Sequence, residues 1–247
     1  MRKIFNNPDL QAQFERDGYV KLPLLNEEEV EELKAFYLET PFDNKIEAGF
    51  HISLDNQDSA LVDQVGKKIR AVLEPKTADI FADCKVFTAS YVIKEPGLRN
   101  IVPPHQDWTF VDETEFTSVT LWTPLVDVSE ENGALGVIPG SHLLFNHPRS
   151  SPSPQSKSPL ADHIFTLFPY VEIVEMKAGE TLIFNNRLIH ASPPNLSEEA
   201  RLAVGIGVTQ QDAQLLHYYH VPQSDPPQLE RYEVEPDFYL WYNNARL

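Results

Sequence analysis

Four residues between positions 105 and 201 are of types that can do chemistry together. His105 and Asp107 stand two apart in Pro103-Pro104-His105-Gln106-Asp107-Trp108. On a strand, residues two apart project to the same side, so an imidazole and a carboxylate would aim at one point. Alone, such a pair carries little weight, because a histidine beside an aspartate is common on surfaces. His190, in Leu188-Ile189-His190-Ala191-Ser192, offers a second imidazole, and Arg201 follows eleven residues later. Read with period two, the stretch from Arg201 to Val208 has a bulky face of Leu202, Val204, Ile206 and Val208. Its other face is Arg201, Ala203, Gly205 and Gly207. The bulky face can pack against helices. The small face leaves room, and its one large member is a cation that needs an anion, since an unpaired buried charge is costly.

Two histidines and one carboxylate on a rigid β scaffold can occupy one face of a metal's coordination sphere and leave positions open. That is the ligand set of non-haem Fe(II) oxygenases. A structural zinc site is usually closed and rich in cysteine, and this chain has only Cys84. The open positions would suit 2-oxoglutarate, whose 2-oxo and adjacent carboxylate groups chelate iron. Its far carboxylate would take the two-pronged grip of Arg201, which lysine gives less specifically. Ser192 is expected on the face of His190 as a second donor to that carboxylate. The turn region Pro193-Pro194-Asn195-Leu196 predicts that Leu188–Ser192 and Arg201–Val208 pair as a hairpin, which would set His190 beside Arg201.

The elements that must position these residues come in two groups. Asn7-Pro8 and Gly18 bracket a first helix containing Leu10 and Phe14, and Tyr19–Leu22 follows as a short strand. Asn26 with Glu29 makes a capping-box start for a second helix through Val30, Leu33 and Tyr37. A third helix is expected over Asp58–Leu73, with Leu61, Val65, Ile69 and Val72 as its apolar stripe and Lys67, Lys68 and Arg70 near its negative end. From Lys85 the period changes to two, and Lys85–Ile93, Ser118–Val126 and Thr181–Asn185 read as strands. Helices first and many strands after argue for one α+β unit, a sheet sandwich or barrel backed by N-terminal helices. The divisions are 1–84 as mainly helical support, 85–210 as the β core and 211–247 as a C-terminal segment. His147–Pro159 and Pro222–Pro236 are loop-like by composition, either plain surface loops or lids at a barrel mouth.

Several strings resemble the phytanoyl-CoA dioxygenase family of Fe(II)/2-oxoglutarate oxygenases. They are Phe14-Glu15-Arg16-Asp17-Gly18-Tyr19-Val20, Lys94-Glu95-Pro96-Gly97, Pro104-His105-Gln106-Asp107-Trp108, Asn132-Gly133-Ala134-Leu135-Gly136-Val137-Ile138-Pro139-Gly140-Ser141-His142, and the His190…Arg201 pair. They occur in the family's order over nearly the whole chain. The resemblance implies a double-stranded β-helix (jelly-roll, cupin-like), with His105, Asp107 and His190 as iron ligands. It also implies that Arg201 and Ser192 bind 2-oxoglutarate and that Trp122 lines the pocket. Related halogenases replace the carboxylate ligand with a small residue, whereas Asp107 is present here, which favours hydroxylation. Fe(II), 2-oxoglutarate and O₂ are therefore the expected cofactor and cosubstrates.

Composition narrows the partners. With 247 residues, 42% apolar and 23% charged, the chain suits one large globular domain rather than a disordered or fibrous one. Its formal net charge of −17 repels nucleic-acid phosphates and anionic lipid heads, so no nucleic acid and no membrane are expected as partners. The lone cysteine and the lack of a signal-like or membrane-spanning apolar run point to a cytoplasmic setting. The expected partner is a small-molecule substrate, and the oligomeric state is open. His142 reads as a structural hydrogen-bonder, Cys84 as a small buried hydrophobe, and His217 with His220 as lacking a third ligand for a second metal. Tyr218, Tyr219, Phe238, Tyr239, Trp241 and Tyr242 form an aromatic-rich tail suited to core packing, a dimer surface or part of a substrate pocket. The reading is a 2-oxoglutarate-dependent hydroxylase of a small or medium organic molecule. Its rivals are a cupin-like metalloenzyme that does not use 2-oxoglutarate and a non-catalytic β-sandwich binding protein.

Overall fold

A computed structural model describes residues 2–42, 49–150, 160–221, 224 and 228–241. In chain order the elements are α1 (Pro8–Asp17), β1 (Tyr19–Pro23), α2 (Glu27–Glu39), β2 (Phe50–Ile52), α3 (Ser59–Ile80), β3 (Cys84–Lys94), β4 (Val102–His105), β5 (Ser118–Pro124) and β6 (Gly136–Val137). They continue as α4 (Ile164–Leu167), β7 (Glu172–Ile173), β8 (Glu180–Asn185), β9 (His190–Ser192), β10 (Arg201–Gln210), β11 (Leu215–His220), β12 (Leu229–Val234) and α5 (Phe238–Trp241). Strands dominate, and the three long helices all precede β3.

The helix starts follow from local chemistry. The Asn7 side chain accepts from the backbone N–H groups of Asp9 and Leu10, Pro8 opens α1, and Gly18 ends it at φ 84°. Asn26 and Glu29 form a reciprocal capping box at the start of α2. The third helix runs past its expected end at Leu73, through Pro75 to Ile80. Lys67 and Lys68 therefore lie mid-helix, bonded to Asp63 and to Glu32 of α2, rather than at the helix's negative pole.

The strands form two larger antiparallel sheets and one hairpin. One sheet has the order β1-β8-β5-β10-β3-β2, the second β4-β9-β6-β7, and β11 pairs with β12 alone. The period-two reading of β10 is visible in the packing. Leu202, Val204, Ile206 and Val208 join Phe14, Val30, Leu33, Val65, Ile69 and Leu73 in one core between sheet and helices. Ala203 instead joins Trp122, Leu182 and Phe184 of its own sheet with Ala134, Val137 and Leu188 from around the four-stranded sheet. The two sheets thus share an interior.

Three expectations are corrected. β9 and β10 are not a hairpin: β9 pairs with β4 and β6, and β10 with β3 and β5. Residues 193–200 carry the chain from one sheet to the other, tied down by Asn195, whose side-chain amide donates to the carbonyls of Lys94 and Glu199. β4 ends at His105, so Asp107 lies beyond the strand that was expected to carry both residues. The segment Pro222–Pro236 includes β12 and is not loop throughout. Of the other loop, residues 151–159 lie outside the described residues, as do Tyr242 and the side chain of Trp241.

Candidate metal centre and anion pocket

His105 closes β4 and His190 opens β9, and the antiparallel register sets the two directly opposite each other. Their rings are 4.2 Å apart between centroids. The His105 Nδ1 lies 2.8 Å from the Pro103 carbonyl and the His190 Nδ1 3.0 Å from that of Leu188. A carbonyl can only accept, so each Nδ1 carries the proton and each Nε2 presents its lone pair, the tautomer a metal requires. Asp107 joins them with Oδ1 3.6 Å from the His190 Nε2. One ligand atom from each of the three residues lies within 4.8 Å of the others, and this is the one such cluster among the described residues.

The outer carboxylate oxygen is held in place. Asp107 Oδ2 accepts from the Thr120 hydroxyl at 2.9 Å and from the Asn186 amide at 2.9 Å. Asn186 also donates to Thr120 at 2.8 Å. Burial by itself would raise the Asp107 carboxyl, but the two imidazoles and these hydrogen bonds outweigh it and hold it below the usual carboxylate range. Desolvation, with His190 nearby, pushes His105 down to about 4 and keeps it neutral. A carboxylate and two imidazoles that turn Nδ1 to a carbonyl and leave Nε2 for a ligand fit a divalent transition metal.

A second set of polar groups gathers where β3, β9 and β10 approach. Arg201 pairs in register with Lys94, so both side chains leave neighbouring strands on one face. Each is almost wholly buried. Arg201 Nη1 donates to the Gly133 carbonyl at 2.7 Å, while its Nε and Nη2 are buried with no partner. Its guanidinium lies 5.1 Å from the centre of the Trp122 ring. Lys94 Nζ donates to the Pro193 carbonyl at 2.6 Å and to the Ser192 hydroxyl. Among the described residues no carboxylate meets either cation. Burial, together with Arg201, pulls Lys94 down to about 7, and burial pulls Arg201 to about 9. Two buried cations, one of them with two unsatisfied donors, describe a site suited to an anion.

The two sets lie within reach of one small molecule. Ser192, which touches Lys94, is two residues along β9 from His190, or ~7 Å at ~3.3 Å per residue. A five-carbon diacid can therefore chelate a metal at one end and meet the cations at the other.

The six residues expected to bind metal or 2-oxoglutarate fall in these two places. His105, Asp107 and His190 come together, and Arg201, Ser192 and Trp122 surround the anion pocket. Ser192 reaches it across the gap between sheets rather than along a hairpin. Lys94 was missed because its sequence neighbours say nothing about which residue opposes it; its even spacing from Ser90 and Val92 on one strand face was the available signal. Thr120 and Asn186 carried no signal of their own. The Asn132-Gly133 motif finds its reason here. Gly133 has φ +77°, and a Cβ on it would lie 2.7 Å from the Lys94 side chain and 2.9 Å from the Pro193 carbonyl. His142 is buried with Nε2 3.3 Å from the Glu15 carbonyl, a packing role. Cys84 is half-buried against the helix-side core and bonded to the Ala82 carbonyl. His217 stacks on Phe238, and Tyr239 is buried with Phe87 and Val111.

A family model described as phytanoyl-CoA dioxygenase (PhyH) matches residues 14–203. A curated phytanoyl-CoA dioxygenase of Arabidopsis thaliana is 34% identical over 141 residues, 51% of this chain and 45% of that protein. The chain thus spans less than half the length of that relative. Among solved structures, the non-heme alpha ketoglutarate dependent carbocyclase SnoK matches at TM-score 0.58 and 22% identity, over 85% of this chain and 86% of that one. HygX from Streptomyces hygroscopicus, with nickel and 2-oxoglutarate bound, matches at TM-score 0.59 and 16% identity, over 83% and 88%. These likenesses show a shared fold.

Proposed function

Because the chain belongs to the phytanoyl-CoA dioxygenase family, we propose that it is an Fe(II)- and 2-oxoglutarate-dependent oxygenase that hydroxylates an unactivated C–H bond of a small or medium organic molecule. We read its two sheets as the two faces of a double-stranded β-helix. The observation that carries the proposal is the pairing of a His-Asp-His cluster with two buried cations that lack an anion. A metalloenzyme that did not use 2-oxoglutarate would have no use for Arg201 and Lys94 at that distance, and a binding protein would have none for the cluster.

His105, Asp107 and His190 would hold the iron. When bound, iron with 2-oxoglutarate and O₂ supplies the oxidative decarboxylation to succinate and CO₂ and the oxidation of the substrate. The protein's own groups do the positioning. Pro103 and Leu188 hold the imidazole protons on Nδ1, and Thr120 with Asn186 turns one carboxylate oxygen outward. Arg201 and Lys94 receive the far carboxylate, with Trp122 as a flat apolar wall beside the guanidinium. Both cations are buried, which strengthens these contacts.

Asp107 occupies the position a halide would need, which favours hydroxylation over halogenation. A CoA thioester is disfavoured, because the chain is strongly acidic and Arg149, the cation bonded to the Asp107 segment, is already paired with Glu113. The test is a substrate-library screen that reads succinate release together with product mass. Succinate coupled to a gain of one oxygen atom is expected. Succinate with a product of unchanged mass would assign another oxidation, and full turnover by His190→Ala would remove the metal assignment.

A further inference from the structure

Thr120 of β5 and Asn186 hold the Asp107 carboxylate, but the sheets do not hold its backbone. β4 ends at His105 and the next strand begins at Ser118, so a metal ligand sits in a segment with no ladder to fix it. A ligand displaced by a fraction of an ångström loses its geometry, so other bonds must hold this stretch. The Gln106 side chain donates to the Arg187 carbonyl at 2.6 Å, and the Phe110 carbonyl accepts from Leu216 at 2.7 Å. Between those two points the Asp107 carbonyl and both the backbone N–H and the hydroxyl of Thr109 bond to one residue. Arg149 Nε donates to the Asp107 carbonyl at 2.6 Å, Arg149 N donates to the Thr109 hydroxyl at 3.0 Å, and Thr109 N donates to the Arg149 carbonyl at 3.1 Å.

The other end of the same guanidinium closes a ring. Nη1 and Nη2 meet the two Glu113 oxygens at 2.9 and 2.5 Å, and Nη1 also donates to the His147 carbonyl at 2.9 Å. Arg149 and Glu113 side chains are 4% and 9% exposed, whereas every other ion pair among the described residues leaves a partner 24% or more exposed. A buried ion pair is a weak source of stability, because desolvation offsets much of the attraction, so its value is better sought in what it positions. Only a planar fork can serve a backbone carbonyl with Nε while gripping a carboxylate with both Nη atoms.

We propose that Arg149, neutralised by Glu113, is a positioning residue that clamps the segment from Asp107 to Glu113 onto residues 147–150 and thereby fixes the metal-binding carboxylate. The inference rests on the reading of Asp107 as a metal ligand. It adds a structural reason for the stretch after His142, which the sequence marked only as the start of a loop.

The test is Mn(II) binding to the metal-free full chain by calorimetry, followed by 2-oxoglutarate binding at saturating Mn(II), for wild type, Asp107→Ala, Arg149→Met and Arg149→Lys. Arg149→Met should weaken Mn(II) about 10–100-fold, as loss of outer partners of metal ligands generally does. It should leave 2-oxoglutarate affinity within about threefold, since Arg201 and Lys94 are untouched. Arg149→Lys keeps a charge for Glu113 but cannot supply the fork. It should lose much of the Mn(II) affinity while unfolding at nearly the wild-type temperature, and it carries the test if the methionine variant does not fold. Wild-type Mn(II) affinity in Arg149→Lys, or equal loss of both affinities in step with the melting temperature, would overturn the clamp. If Asp107→Ala binds Mn(II) like wild type, the reading of the metal centre fails instead.

Discussion

Lys94 and Arg201 make the anion pocket sensitive to pH. Lys94 is held near 7 against an ordinary value of 10.5, so between those values the unfolded chain binds more protons than the native one. That group therefore disfavours the ligand-free native state below about pH 7, and the penalty fades as pH rises towards 10.5. An arriving carboxylate reverses the preference by stabilising the ammonium. 2-Oxoglutarate should then bind with proton uptake and lose affinity as pH rises from about 7 to 9, a slope that Lys94→Met should flatten. Calorimetry in two buffers of different ionisation enthalpy reads this, and equal heats in both would contradict it. Arg201→Ala should weaken 2-oxoglutarate by about one to two orders of magnitude, since hydrogen bonds to charged groups contribute ~1.5–3 kcal/mol. Arg201→Lys should recover only part, and Mn(II) affinity without cosubstrate should stay unchanged. Residue types were what the sequence displayed best: two histidines, an aspartate and an arginine facing small residues already describe this chemistry. Lys94 stayed hidden because a register partner is a property of two strands, 107 positions apart in this case.

At the scale of elements, β10 carries the architecture on its two faces. Its bulky face joins the helix-side core, and its small face opens to the interior, as the alternation from Arg201 to Val208 implies. The two interior glycines differ in room. A Cβ on Gly207 would lie 2.6 Å from Thr88 Oγ1 and 2.7 Å from the Phe87 ring, while at Gly205 nothing comes closer than 3.6 Å. Gly207→Ala should cost about 1–3 kcal/mol by overpacking, and Gly205→Ala should stay within about 1 kcal/mol of wild type. Urea unfolding measures both, and equal effects would refute the difference in room. Helix starts were legible because Asn7, Asn26 and Glu29 act within a turn. The partner of β9 was not, because a prolyl-rich link of eight residues can close a hairpin or cross between sheets. The crossing is held by the distant bonds of Asn195 to Lys94 and Asn100. The short strands β6 and β7, two residues each, are too brief to leave a period.

The whole molecule sets two buried cations inside a chain of strongly acidic composition. Its net charge of −17 makes a broad grip on polyanions unfavourable, yet its interior holds a cation pair that meets no carboxylate among the described residues. Among the described residues no helix is long and apolar enough to cross a membrane. The mainly β plan was legible from the switch of period after Lys85, whereas the division of strands between two sheets arises from contacts across the whole chain. The central claim is that one small diacid bridges the metal centre and the cation pair. Anaerobic titration of 2-oxoglutarate into the Fe(II)-loaded protein tests it, followed by the visible charge-transfer absorption of iron chelated by a 2-oxo acid. Wild type should develop the band and saturate at one equivalent, Arg201→Ala should need about 10–100-fold more cosubstrate, and His190→Ala should show none. No band in wild type with iron bound, or an undiminished band in His190→Ala, would contradict the account.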